Sequence, residues 1–131
     1  MLKITYTETG FNLEYLADSL EQLVMRRVIL AMRLGESVLV EPSTASFLLR
    51  VDLPSLNLLE AEAVGNDSEK IELCVADEDY IEVTLQGTWI ASNSHMAEGL
   101  FVTTMSDRTE LYLFKCWEQT QAGAYELKKA D

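Results

Sequence analysis

The spacing of apolar positions changes several times along the chain, and each change marks an element. Residues 2–7 and 11–16 alternate around Glu8-Thr9-Gly10, with Ile4 and Tyr6 on one face and Lys3 and Thr5 on the other. Alternation on both sides of a glycine-containing turn predicts a β-hairpin. From Leu20 the period lengthens. Leu20, Leu23, Val24, Val28 and Ala31 follow helical spacing. Ser19 with Gln22 three residues on is a capping box, and Gly35 is placed to end the helix, which is therefore expected over about 20–34. Its centre, Val28-Ile29-Leu30-Ala31-Met32, is apolar all round. That run is either deeply buried or the first arm of a hairpin with Val38-Leu39-Val40. Its Leu, Met, Arg, Glu, Gln and Ala content favours the helix.

Val38–Val40 reads as a short buried strand that Pro42 ends. Ser43 or Ser46 then opens a helical turn through Phe47-Leu48-Leu49, and Asp52-Leu53-Pro54 is a turn. Residues 56–64 fit two readings. Glu60 and Glu62 alternating with Ala61 and Ala63 favour a strand with one wet face, while Leu, Ala and Glu also suit a helix. Gly65-Asn66-Asp67-Ser68 is a turn, Ile71–Val75 a strand, and 76–79 a turn. Tyr80–Ile90 alternates most regularly, with Ile81, Val83 and Leu85 against Glu82, Thr84 and Gln86. Gly87 within it points to a bulge or a close backbone approach. Ser92–Gly99 is a polar loop, and Leu100–Met105 a strand. Ser106 or Asp107 caps a last helix over about 108–121, where Leu111, Phe114 and Trp117 share a stripe. The expected class is α+β: hairpin, long helix, antiparallel meander and C-terminal helix, with helices on a sheet face. A mostly-β barrel or sandwich is the alternative.

Composition bounds this picture. At 131 residues and 48% apolar, the chain suits a single globular domain, 1–131, that needs no disulfide framework to hold its core. Residues 122–131, with Gly123 and the Lys128-Lys129 pair, read as a flexible tail. Cys74 and Cys116 both sit in apolar runs and read as small buried hydrophobes. The opening residues lack the apolar stretch of a signal peptide, and no apolar run is long enough for a bilayer, so a cytoplasmic setting is expected.

Charge changes the picture more. Lys and Arg number 10, Asp and Glu 22, for a net charge of −12. The excess lies in the middle: residues 51–107 hold 12 acids against the single base Lys70. Nucleic acid and anionic membranes call for the opposite sign and are not expected partners. A basic protein partner or a cation suits the surface better, and an acidic surface also serves solubility.

Candidate chemistries find little support. The one histidine, His95, lies in a polar loop. Pairing it with Cys74 or Cys116 would need an electropositive setting for the thiolate, and Cys74 stands in the most acidic stretch. There is no Cys-x-x-Cys or His pair for zinc. Asp77-Glu78-Asp79, with Glu72 and Glu82 nearby, offers oxygens to a hard cation but reads first as a solvated turn. Glu82, Thr84 and Gln86 share a strand face without implying acid–base work. No phosphate-cradling glycine motif occurs. No catalytic, metal-binding or cofactor-binding residue, and no cofactor, is assigned. Trp89 and Trp117 are potential interface anchors. Arg26, Arg27, Arg33 and Arg50 are potential contacts for an acidic patch on a second copy. Arg26, Arg33, Trp89 and Trp117 are thus the candidate interface residues.

Val40–Leu49, Glu82–Trp89 and Thr109–Lys115 resemble segments of a group of small uncharacterised cyanobacterial proteins. The resemblance covers most of the chain and implies a cytoplasmic bacterial setting, with no activity to carry over. The expectation from the sequence is a non-enzymatic interaction or assembly module that binds a protein partner or a second copy as a homodimer. The alternative is a small-molecule or metabolite-binding domain, possibly a carboxylate-based enzyme.

Overall fold

Leu2–Thr7 (β1) and Gly10–Tyr15 (β2) pair antiparallel, from Leu2 opposite Tyr15 to Thr7 opposite Gly10. The structure is a computed structural model and describes residues 1–7, 10–92 and 99–130. After the hairpin come α1 (Leu20–Arg33), β3 (Val38–Arg50), α2 (Leu56–Asn66), β4 (Ile71–Val75), β5 (Tyr80–Ser92), β6 (Gly99–Thr103) and α3 (Asp107–Ala130). The strands form one antiparallel sheet in the order β2-β1-β6-β5-β3, with β4 also paired to β5. The class is α+β.

The described chain divides into two units. One comprises Met1–Ala45 and Gln86–Thr104, the other Ser46–Leu85 and Met105–Asp131.

In the first unit, α1 lies on one face of the sheet. Its Leu23 joins Met1, Ile90, Leu100 and Val102 in a buried cluster, with Leu16, Val24 and Val38 at the edge. Both halves of the capping box form: Gln22 N–H donates to Ser19 Oγ at 3.2 Å, and Ser19 N–H to Gln22 Oε1 at 3.1 Å. Gly35 ends the helix at φ 70°, a backbone setting that strains any other residue. Lys3 sits opposite Glu14 across the hairpin, Nζ to Oε2 3.4 Å. Gly87 stands where β5 passes β6: a Cβ there would lie 2.2 Å from the Val102 carbonyl oxygen and 2.7 Å from the Phe101 ring. The close approach read from its place in the strand is therefore real.

In the second unit, Phe47 and Leu49 of β3, Ile71 of β4, Ile81, Val83 and Leu85 of β5, Leu56, Leu59 and Ala63 of α2, and Leu113 and Cys116 of α3 are buried. Ser55 ties α2 to α3 twice, its N–H donating to Gln119 Oε1 (3.1 Å) and its Oγ accepting from Gln119 Nε2 (2.9 Å).

Five expectations are corrected. Pro42 does not end the strand, because β3 is the outermost strand of the order and a missing N–H on a free edge removes no ladder bond. No helical turn forms at 43–49; Ala45, Phe47 and Leu49 point inward and alternate with exposed Ser46, Leu48 and Arg50. Residues 56–64 are helical, burying Leu56, Leu59 and Ala63 at intervals of three and four, and the helix runs through Gly65 and Asn66, so the turn falls later. Cys74 is exposed, not buried. The last helix also extends well beyond residue 121. Among the described residues, no helix is long and apolar enough to cross a membrane.

Candidate functional site

The most open chemistry lies on and beneath α1. Only Leu23 and Ala31 of this helix are buried. At 3.6 residues per turn, Met25, Val28, Ile29 and Met32 recur at intervals of three and four and form one outward stripe. All four are exposed, Met25 at 62% and Met32 at 72%. Arg26 and Arg33, seven residues apart, run along one flank of that stripe. Arg26 pairs with Asp18 through its guanidinium; Arg33 stands in the last turn. With three arginines, Arg26, Arg27 and Arg33, to the single acid Glu21, α1 carries net positive charge on an acidic protein.

Beneath the C-terminal half of α1 is a cavity of about 300 Å³. Its walls come from Leu30 and Ala31 of α1, Leu34 at its C-cap, Val38 of β3, and Ile90 and Leu100 of the sheet, with Thr5, Ser92, Arg27 and Glu36 as polar groups. Tyr6 sits in an aromatic group, 5.7 Å edge-on from Trp89 and 6.0 Å from Phe11 between ring centroids. Burial raises the Tyr6 phenol pKa above its ordinary value, so its hydroxyl stays a donor at neutral pH.

Of the candidate interface residues, Arg26, Arg33 and Trp89 belong to the first unit and Trp117 to the second. Trp89 and Trp117 are both half-buried. Arg27, which lines the cavity, was expected only as a contact for a second copy, and the outward Met25–Met32 stripe was not expected as a surface. The i, i+3, i+4, i+7 recurrence was visible, but an apolar run does not say which of its sides faces water.

The other candidate chemistries can be placed. His95 lies outside the described residues. The Cys74 thiol donates to Glu72 Oε1 at 3.3 Å; that bond, then desolvation and the charges of Glu72 and Glu82, raise its pKa. Burial pushes Cys116 up to about 11. Both thiols are thus protonated at neutral pH and poor nucleophiles. In the acidic turn, Asp77 Oδ1 accepts from the N–H of Asp79 (2.8 Å) and Tyr80 (2.9 Å), the Asx arrangement of a structural turn. Among the described residues no three His, Cys, Asp or Glu side chains are grouped to hold a metal.

Asp67 accepts from three donors. Thr109 Oγ1 donates to its Oδ2 at 2.5 Å, Ser106 Oγ to Oδ2 at 2.8 Å, and Ser106 N–H to Oδ1 at 3.2 Å. Ser106 Oγ in turn accepts from Thr109 N–H at 3.3 Å, capping α3. Desolvation pulls the Asp67 pKa up, but the Thr109 and Ser106 hydrogen bonds and Lys70 outweigh it, and the net shift is downward. A carboxylate with a depressed folded-state pKa stabilises fully above its unfolded value, and the contribution is lost as pH falls through the folded pKa. Asp67→Asn is therefore expected to cost about 1 kcal/mol at pH 7. The gap from the parent should narrow as urea titrations are moved below about pH 4. A gap that stays constant to pH 2.5 would remove Asp67 from the account of acid sensitivity.

No curated protein and no solved structure matches the chain. A family model described as Alr0857-like matches residues 1–121, from the first strand of the hairpin into α3. The match takes in every strand of the sheet and both surfaces of α1, and the chain belongs to the Alr0857-like family.

Proposed function

We propose that the protein is a cytoplasmic interaction module that docks an acidic, amphipathic segment of another protein along α1. The observation that supports this reading is the exposed Met25–Val28–Ile29–Met32 stripe flanked by Arg26 and Arg33. Water-facing apolar residues scattered singly need no explanation, but four on one continuous helical stripe form a patch of the kind that marks a contact surface. Methionine suits such a surface because its unbranched side chain adapts to the shape it meets.

Charge favours a different protein over a second copy. Two α1 helices paired antiparallel about a two-fold axis keep each flank against the same flank of the other. Arg26 and Arg33 would then face Arg26 and Arg33. A partner helix with Asp or Glu beside its apolar stripe avoids that repulsion and gains from it.

The probe is a pair of labelled helical peptides with one apolar stripe, flanked by Glu in one and by Lys in the other. Fluorescence anisotropy is expected to show binding of the Glu-flanked peptide only, weakening with salt. Ile29→Glu with Met32→Glu should weaken it at least tenfold at unchanged circular dichroism, and Arg26→Glu with Arg33→Glu should reverse the preference. Binding of neither peptide, or equal binding of both, would defeat the proposal. A dimer seen by light scattering and abolished by the Ile29 and Met32 changes would assign the stripe to a second copy instead.

A further inference from the structure

We infer that the cavity beneath α1 binds a small carboxylic acid with an apolar body, the carboxylate meeting Arg27. This goes beyond the docking reading and does not depend on it, since it uses the inward side of the helix and not the Met25–Met32 stripe.

Three observations converge. The first is size and lining. A cavity of about 300 Å³ lies at the lower end of the range for ligand sites. It holds about ten water-sized atoms at about 30 Å³ each. Its walls are mainly aliphatic: Leu30, Ala31, Leu34, Val38, Ile90 and Leu100.

The second is Arg27. It is the one base among the described lining residues. Among the described residues it makes no ion pair or hydrogen bond. In a chain with 22 acids to 10 bases, four other bases are paired with an acid. Arg26 has Asp18, Arg50 has Asp52, Arg108 has Glu62 and Lys3 has Glu14. A guanidinium left at the mouth of an aliphatic cavity presents the planar fork that a carboxylate matches with two parallel bonds.

The third is a neutral hydroxyl. Thr5 lines the same cavity from the strand face it shares with Leu100 and supplies a donor for a second oxygen without adding negative charge. Glu36 is the one acid among the described lining residues and has a partner of its own. A ligand that also carried an ammonium group would test whether Glu36 takes part.

The experiment uses three probes of one shape and different charge: phenylacetate, zwitterionic phenylalanine and cationic phenethylamine. Binding is followed by calorimetry and by the shift in melting temperature. Phenylacetate is expected to bind and raise the melting temperature, and phenethylamine to bind at least tenfold more weakly. Arg27→Gln, an exposed position whose change leaves the core intact, should weaken phenylacetate at least tenfold, and Leu34→Trp at the rim should block it. Phenylalanine binding more tightly than phenylacetate would support the site and add Glu36 as a second anchor. The inference is overturned if neither acid binds into the millimolar range, if the cation binds as well as the acids, or if Arg27→Gln leaves affinity unchanged. None of these outcomes alters the peptide binding expected at the outer stripe, so the two readings fail separately.

Discussion

Gly87→Ala is expected to destabilise the protein by about 3 kcal/mol and to lower the melting temperature by about 10 °C. The added methyl would sit 2.2 Å from the Val102 carbonyl oxygen, 2.7 Å from the Phe101 ring and 3.1 Å from Thr103 Cβ. Phe101 is itself fully buried, so its ring has nowhere to go. The oxygen belongs to the backbone of β6, whose next residues are held in register with β5, Val102 opposite Thr88 and Phe101 opposite Trp89. Thr103 adds a bond from its Oγ1 to the Gln86 carbonyl at 2.8 Å. Relief of the clash therefore means moving a paired strand, not rotating a side chain. Thermal and urea unfolding check the result; a variant as stable as the parent would mean that β6 does not pass Gly87 at this distance.

The second large effect is expected at Glu110. This side chain is 1% exposed, and its Oε1 accepts from the Met105 N–H at 3.0 Å. Met105 is buried too. Glu110→Ala removes the acceptor, strands a buried donor and leaves a hole, at a combined cost of about 3 kcal/mol. Glu110→Gln keeps an oxygen at the same reach and should recover more than half of that loss. Denaturation of the two variants gives the comparison, and amide exchange at Met105 shows whether the bond has gone. Equal stability of the Ala and Gln variants would show that the hydrogen bond is not what holds this turn.

These residues also show how much of the molecule can be read in advance. Helix α1 was legible to within a residue because each signal acts locally: Ser19 and Gln22 close on one another, and Gly35 stops the chain at positive φ. The hairpin, β4, β5 and the start of α3 were legible for the same reason. What failed depended on neighbours distant in sequence. Whether Pro42 breaks a strand depends on whether that strand has a partner on both edges. Whether Glu60 and Glu62 mark a wet sheet face or a helix depends on what Leu56, Leu59 and Ala63 are buried against. Cys74 sits in an apolar run, yet Val75 beside it is 82% exposed. The candidate site was half legible. Arg26 and Arg33 were identified from their spacing. The cavity wall that gives Arg27 its role is assembled from α1 and three other stretches of chain, a juxtaposition no local pattern encodes.

Strands β3 and β5 each start in one unit and finish in the other. Neither unit is therefore a continuous piece of chain: the span holding all of one always includes part of the other. A single proteolytic cut, a truncation or a recombination crossover cannot release either intact. Selection acting on this gene must keep or lose the two together.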